Sequence, residues 1–294
     1  MLNVLLTGGS GFIGKNFIEK YGSKYNIFAP SSDEVDLTKI REVSEYFEGK
    51  RFDVVVHAAG KSDGYTGSVV EADNLIMFKN VQYESILHGV KKLLVIGDAA
   101  DFDRKRPLEN IREENFGESI PQEGYGLGRY LITMLARKDK ISTVLRFFTV
   151  YGKYCDVGAS KTMELIARGV TGKKTAVIEK DREYSAIYAD DAIKVIAAFI
   201  DNDFGKGEYN VASDISLTFS DVARTAKRLA KKELRQVDIV VQSDKPDVCY
   251  TANVEKLKAV MPKLKFTAHS TAIKQVFEHL MKHKSQAKPK KAEK

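Results

Sequence analysis

Short runs of aliphatic and β-branched residues alternate with longer stretches of helical period over the first two-thirds of the chain. Asn3-Val4-Leu5-Leu6-Thr7 predicts a buried strand, followed by a glycine-rich turn and a helix from about Phe12. Tyr25-Asn26-Ile27-Phe28 predicts a second strand, Lys39 to Phe47 an amphipathic helix, and Asp53-Val54-Val55-Val56-His57-Ala58 a third strand. That third run is apolar without alternation, as expected when helices cover both faces of a parallel sheet. A long helix around Val70 to His88 follows, then the strand Lys92 to Ile96, a charge-rich loop, a helix over Gly124 to Arg137 and the strand Ser142 to Arg146. Strand–helix–strand in this order predicts parallel βαβ units.

Beyond Tyr151 the pattern weakens. Helices over Lys161 to Arg168, Asp190 to Ile200 and Ser220 to Lys231, with short strands between them, predict a smaller lobe over the carboxyl ends of the strands. Open α/β sheets bind ligands there. The expected organisation is α/β. Residues 1–155 are expected to form mainly a doubly wound parallel sheet, and 156–281 mainly a smaller α/β lobe whose chain crosses back to the sheet. Residues 282–294 form a disordered basic tail.

Composition narrows the classes. At 294 residues and 43% hydrophobic content the chain can bury a sizeable core. No apolar run approaches the roughly 20 residues that cross a membrane. The strand-like start, Met1-Leu2-Asn3-Val4, carries no charged leader, and Cys155 and Cys249 are too few for a disulfide framework. A reduced, cytoplasmic protein is expected. Of the net charge of +7, the last 14 residues hold six lysines and one acid, Glu293, or +5, leaving 7 − 5 = +2 on the body. Excess charge in a Lys-rich tail is not the footprint of a folded nucleic-acid face, so nucleic acid is not an expected partner.

The candidate chemistry begins at Thr7-Gly8-Gly9-Ser10-Gly11-Phe12-Ile13-Gly14. Gly8 suits a tight turn, Gly11 a close approach of backbone to pyrophosphate, and Gly14 close helix–strand packing. The helix start offers free N–H groups and the positive end of its dipole. An acid closing the second strand would bind the ribose of NAD. Here the strand runs into Ala29-Pro30-Ser31-Ser32, so NAD or NADP both stand, with a slight lean to NADP.

The glycine spacing with Thr in front resembles the extended short-chain dehydrogenase/reductase family, of the NAD(P)-dependent nucleoside-diphosphate-sugar epimerase/dehydratase type. Further stretches carry the likeness in family order to about residue 230: Asp36-Leu37-Thr38, Val56-His57-Ala58-Ala59-Gly60, Arg146-Phe147-Phe148-Thr149-Val150-Tyr151-Gly152, and Arg182 to Asp191. The resemblance implies a Rossmann-type fold, a nicotinamide cofactor, a nucleoside-diphosphate sugar as substrate, and a homodimer through the helix holding Tyr125 and the long helix before it. It implies a cofactor set of Gly8, Ser10, Gly11, Phe12, Ile13, Gly14, Ser31, Ser32, Asp36, Leu37, His57, Ala58, Ala59, Gly60, Asn80, Arg129 and Phe148. Thr149, Tyr151, Lys161 and Arg182 are implied for the substrate.

Family members use a Tyr as proton carrier with a Lys four residues on, which places both on one helix face. Here the pair is Tyr125 and Arg129, and the hydroxyl donor's position is held by Asp98. Arginine keeps the positive charge in a different shape. An ionised aspartate accepts hydrogen bonds and cannot donate one. Thr149 stands where the family has Asn. One resolution is an Asp98–Arg129 ion pair. Asn74 and Asn80 both fall where the family has an Asn, and the five histidines show no metal-ligand spacing.

Family dehydratases carry Asp-Glu after the donor position, where this chain has Ala99-Ala100. Fucose-synthase-like members add a Cys two residues after it and a His in the substrate loop. This chain has Ala100 and no His between 58 and 87 or between 89 and 268. The resemblance therefore implies an oxidoreductase or epimerase: 4-epimerisation through a transient keto sugar, or simple reduction or oxidation at one carbinol. A protein that binds a dinucleotide or sugar nucleotide without turnover stands as the alternative, and an interaction role for the tail as a third reading.

Overall fold

The computed structural model describes residues 1–61, 68–172, 176–235, 238–242 and 249–283. β1 (Asn3–Thr7), α1 (Phe12–Tyr21), β2 (Asn26–Phe28), α2 (Ile40–Phe47), β3 (Val54–His57), α3 (Ser68–Leu87) and β4 (Lys92–Asp98) follow one another as the patterning predicts. β5 (Leu108–Ile111) lies inside the charge-rich loop, before α4 (Gly124–Ala136), β6 (Ser142–Phe147) and β7 (Thr149–Tyr151). α5 (Lys161–Thr171), β8 (Ala176–Ile178), β9 (Glu183–Tyr188), α6 (Ala189–Asp201), β10 (Gly207–Val211), β11 (Ser216–Thr218) and α7 (Phe219–Lys232) come next. Beyond residue 232, where the patterning assigns no element, lie β12 (Ile239–Val241), β13 (Tyr250–Ala252), α8 (Glu255–Val260) and α9 (His269–Lys282).

The main sheet has six strands in the order β10-β6-β4-β3-β1-β2, and every pairing in it is parallel. This is the doubly wound, Rossmann-type sheet that the sequence implies. Each residue of β3 is buried, because helices cover both faces. The chain runs from β1 outward to β2, then returns to the other side of β1 as β3. That reversal opens a crevice at the carboxyl ends of β1 and β3.

A second sheet runs β11-β9-β13-β5, with β7 joined to β9. It combines β5 from the first half of the chain with β13 from the last fifth, and it packs over the carboxyl ends of the main sheet. Helices α5, α7 and α9 close the lobe around Met163, Ile166, Val222, Ile273 and Phe277. β10 crosses back to extend the main sheet.

A buried polar knot ties the two halves. Arg146 of β6 is fully buried and pairs with Asp101 at 2.7 Å, while Thr133 donates to the same carboxylate at 2.9 Å. The Arg146 guanidinium lies over Phe102 at 4.6 Å and reaches Asn210 of β10 at 3.3 Å. Asn210 in turn donates to the Ile111 carbonyl at 2.9 Å. Desolvation pushes the Asp101 carboxyl up to about 6 despite the opposing pull of Arg146 and Thr133.

No helix among the described residues is long and apolar enough to cross a membrane. The basic tail from residue 284 onward lies outside the described residues.

Candidate active site

The site begins where β1 ends. Thr7 gives way to a turn in which Gly8 has φ +75, and α1 starts at Phe12 with no side chain capping it. The first N–H groups of that helix therefore face outward, ready for an anion. The turn leaves no room for side chains. A Cβ on Gly8 would meet the backbone of Ala58 and Ala59 at 2.7 Å, and one on Gly14 would meet the Gly8 carbonyl oxygen at 2.3 Å.

Thr7 also locks the tip of β3. Its hydroxyl bonds His57 Nδ1 at 2.9 Å and accepts the Ala59 N–H at 3.3 Å. Burial pushes His57 down to about 3, with Arg129 adding to the shift, so the ring is neutral. His57 is thus an internal pin, and it is Ala58, Ala59 and Gly60 beyond it that border the cleft. Asn74 holds the next residue by both backbone groups, accepting the Lys61 N–H at 2.7 Å and donating to its carbonyl at 3.1 Å.

The cleft between this turn and the smaller lobe has a volume of 610 Å³. Gly8, Gly11, Phe12 and Ile13 form one end, Asp98, Tyr125, Arg129, Phe148 and Thr149 the middle, and Lys161 and Arg182 the lobe side. Asp98 closes β4. One of its oxygens accepts the Ala100 N–H at 2.7 Å and the other accepts the Tyr125 hydroxyl at 3.0 Å. The Arg129 guanidinium lies 5.1 Å from the Tyr125 ring centre, one helical turn along α4. Burial disfavours the Arg129 charge, but Tyr125, Asp98 and Glu71 outweigh it and raise its affinity for the proton. Arg129 Nε is buried with no hydrogen-bond partner among the described residues. In place of an Asp98–Arg129 ion pair, the structure has a phenol donating to Asp98 and a guanidinium stacked on the phenol.

Several residues of the expected set stand away from the cleft. Tyr151 is fully buried, its hydroxyl bonded to His269 Nδ1 at 2.8 Å, so it packs the lobe instead of touching its opening. Asn80 donates to the Leu37 carbonyl at 2.9 Å and so fixes the segment after β2. In that segment Asp36 accepts the Thr38 N–H and hydroxyl, and Ser31 donates its N–H to Glu34 at 2.7 Å. Ser10 and Ser32 are exposed, and Gly14 lies beneath the turn.

Further residues that line the cleft lie outside the expected set, among them Arg104, Arg106, Cys155 and Tyr250. Arg104 and Arg106 enter from the β4–β5 connection. Their signal was the basic tripeptide Arg104-Lys105-Arg106 inside a loop read only as charged. Tyr250 of β13 packs on Phe148 at 5.3 Å, and burial holds its phenol well above the usual range, with Asp98 adding to the shift. Nothing local in the sequence marks it. Cys155 also borders the cleft, and burial pushes its thiol up to about 12, which makes it a packing residue at neutral pH.

Comparison with known proteins gives this geometry a context. The model of the NAD dependent epimerase/dehydratase family matches residues 4–212. A GDP-L-fucose synthase from Azorhizobium caulinodans is 31% identical over 134 residues, covering 43% of this chain and 43% of that protein. The match thus spans less than half the length of that relative. A GDP-L-colitose synthase from Yersinia pseudotuberculosis is 25% identical over 236 residues, 71% of this chain and 75% of its own. In structure, a GDP-L-fucose synthetase from Naegleria fowleri bound to NADP superposes with a TM-score of 0.82 at 18% identity, covering 96% of this chain and 95% of that one.

Proposed function

The chain belongs to the NAD dependent epimerase/dehydratase family, and from that premise we propose that it epimerises or reduces a nucleoside-diphosphate sugar at one carbinol carbon. The observation that carries the reading is Tyr125. Its hydroxyl sits in the cleft between the glycine turn and the lobe, 3.0 Å from Asp98 and flanked by Arg129.

The residues fit a nicotinamide dinucleotide. The glycine turn is a cradle that any Cβ would fill, and the uncapped start of α1 suits a pyrophosphate. When bound, the cofactor supplies or takes up a hydride. Ala58, Ala59 and Gly60 would run along it, and Phe148 would meet its far end. Ser31 and Ser32 after β2 favour NADP, while Glu34, bonded to Ser31, suits the free ribose hydroxyl of NAD. A competition titration of NADP+ against NAD+ decides between them.

The protein's own groups handle the proton. Tyr125 points its hydrogen at Asp98, and its oxygen, beside the Arg129 guanidinium, would meet a substrate hydroxyl. In the oxidative direction the carbinol proton passes to the Tyr125 oxygen as the phenolic proton passes to Asp98. In the reductive direction both transfers reverse. Arg129 holds positive charge against the ring throughout. Lys161 and Arg182, on the lobe side, suit a diphosphate. Ala99 and Ala100, both fully buried, supply no second acid or base next to Asp98, which favours chemistry at a single carbon. Tyr125→Phe is expected to abolish turnover while leaving dinucleotide affinity within about twofold. An active Tyr125→Phe enzyme contradicts the assignment.

The same geometry also supports a second reading. A phenol whose proton is held by a carboxylate forms its phenolate less readily than one beside a lysine, which favours a site that binds without turnover. Homodimerisation is supported by exposed Ile76, Tyr83 and Leu87 on α3 and Leu127 and Leu131 on α4, an apolar face that the described residues of the monomer leave uncovered.

A further inference from the structure

We propose that Glu71 of α3 acts on the reaction through Arg129, as a positioning residue whose charge offsets the guanidinium and so sets the pH at which Tyr125 and Asp98 exchange protons; the inference rests on the proton-carrier reading above. Glu71 is buried, and its carboxylate is pressed against the turn of α4 that runs from Tyr125 to Arg129. A Cβ on Gly128 would lie 2.5 Å from Glu71 Oε2 and 3.0 Å from Glu71 Cβ. Any side chain at position 128 would displace the acid, so the glycine and the carboxylate share one space between the two helices.

Glu71 belongs to a packed group that includes Arg129. Asn74, three residues further along α3, holds Lys61 by both its backbone groups and has Nδ2 3.5 Å from Glu71 Oε2. A Cβ on Gly60 would lie 3.7 Å from Asn74 Oδ1 and 3.2 Å from Arg129 Nη2. Glu71, Asn74, Gly60 and Arg129 thus sit side by side, behind the phenol on which Arg129 stacks.

Arginine at this position gives a counter-charge work to do. A guanidinium keeps its charge across the whole working pH range, so its field on Tyr125 is moderated only by neighbouring acids. Burial disfavours the Arg129 charge, and Tyr125, Asp98 and Glu71 together outweigh burial. Asp98 is already committed to the Tyr125 hydroxyl and the Ala100 N–H. Burying a carboxylate is costly, and an apolar side chain would fill the contact with α4 without that cost. The acid is accounted for by its effect on Arg129.

The sign of that effect follows from charge. As pH falls, the Tyr125–Asp98 pair takes up a proton and can no longer accept one from the carbinol, which gives the acidic limb of the rate profile. A negative charge nearby eases that uptake, so neutralising Glu71 moves the limb to lower pH. The other described groups that bear on the pair and on Arg129 are Arg104 of the β4–β5 connection, Asp101 after β4, Glu123 at the start of α4, Tyr250 of β13 and neutral His57 of β3. All of them stay in place when Glu71 alone is changed, so the difference between variants isolates its charge.

The test is the pH profile of kcat/KM in the oxidative direction, from about pH 5 to about 10, read by product NMR. The full chain is loaded with NAD+ or NADP+ and given the member of a panel of UDP-, GDP-, CDP- and dTDP-linked hexoses that the wild type converts. Glu71→Gln keeps the shape and removes the charge, and it is expected to move the acidic limb down by at least about half a pH unit. Glu71→Asp keeps the charge and should restore most of the wild-type limb. Gly128→Ala pushes the carboxylate from its seat and should shift the limb in the same direction as Glu71→Gln; it carries the test if Glu71→Gln fails to fold. A limb that stays at the wild-type pH in these two variants, whatever happens to kcat, overturns the inference and leaves the functional reading standing. So does an equal shift in Glu71→Asp, which would mark a role in shape alone. Failure of the wild type to convert any member of the panel overturns the functional reading itself, and this inference with it.

Discussion

Replacing Gly8 by Ala separates the two physical demands that the phosphate-binding turn makes on its first glycine. The residue has φ +75, where a side chain costs about 1–2 kcal/mol. Its Cβ would also lie 2.7 Å from the carbonyl carbon and oxygen of Ala58 and the nitrogen of Ala59. Carbon atoms rest about 3.5–4.0 Å apart, so β1 and β3 must spread at their tips. Forced contacts of this kind cost about 1–3 kcal/mol. Together the two terms come to about 2–5 kcal/mol, a large share of the stability of an ordinary domain. Gly89 supplies the control: it has φ +67, and a Cβ there meets nothing within 4 Å, so Gly89→Ala carries only the backbone term of about 1–2 kcal/mol. Urea unfolding at constant slope measures both. Titration with NADP+ measures the ligand, and the displaced turn should lower affinity at least about tenfold in Gly8→Ala and not in Gly89→Ala. If Gly8→Ala costs no more than Gly89→Ala, or binds the dinucleotide unchanged, the close-approach argument is wrong.

Acid should weaken the fold through His57. Its folded pKa of about 3 lies below the ordinary 6.5, so its stabilising effect is complete above 6.5 and is lost as pH falls toward 3. Between pH 6.5 and 5 the loss from His57 itself is about 2 kcal/mol, offset in part below pH 6 by Asp101, whose raised folded pKa acts with the opposite sign, and joined by buried His269 with the same sign; His57→Gln should remove the His57 share from a urea-midpoint profile. Arg146→Met strands the Asp101 carboxylate in the knot between the lobes and should cost about 3–5 kcal/mol by urea unfolding, while adding Asp101→Leu recovers much of it. Light scattering on a sizing column should give a dimer for the wild type and a monomer for Leu131→Glu, whose charge would fall in the apolar face of α3 and α4; a wild-type monomer contradicts the dimer reading.

The parts of the molecule legible in the sequence are those whose requirements are local. The Thr7-to-Gly14 turn shows because glycine is needed at fixed offsets between a strand and a helix. β3 shows because a strand covered on both faces is apolar without interruption. Tyr125 and Arg129 show because four residues along a helix make one face. The second sheet is hard to read for the opposite reason. Its strands are three to six residues long, and β5 finds its partner β13 well over a hundred residues downstream, at Leu108 and Tyr250. Tyr250, Arg104 and Arg106 reach the cleft through that pairing. Tyr151 is the converse case: its motif suggested a ligand contact, but its true partner, His269, is 118 residues away. α9 did carry a signal, since Ile273, Val276, Phe277 and Leu280 have helical spacing and all four are buried.

The central claim is that Tyr125 and Asp98 convert a sugar nucleotide. Its most direct test is NMR of the products after the wild-type protein is incubated with oxidised and reduced NAD and NADP and a panel of UDP-, GDP-, CDP- and dTDP-linked sugars, neutral and acidic. Product NMR is needed because an epimerase regenerates its cofactor and leaves absorbance unchanged. The account predicts a new sugar nucleotide that is absent with Tyr125→Phe. Binding of dinucleotide and sugar nucleotide in the same spectra with no product formed would contradict it, and would mark a fold kept for binding alone.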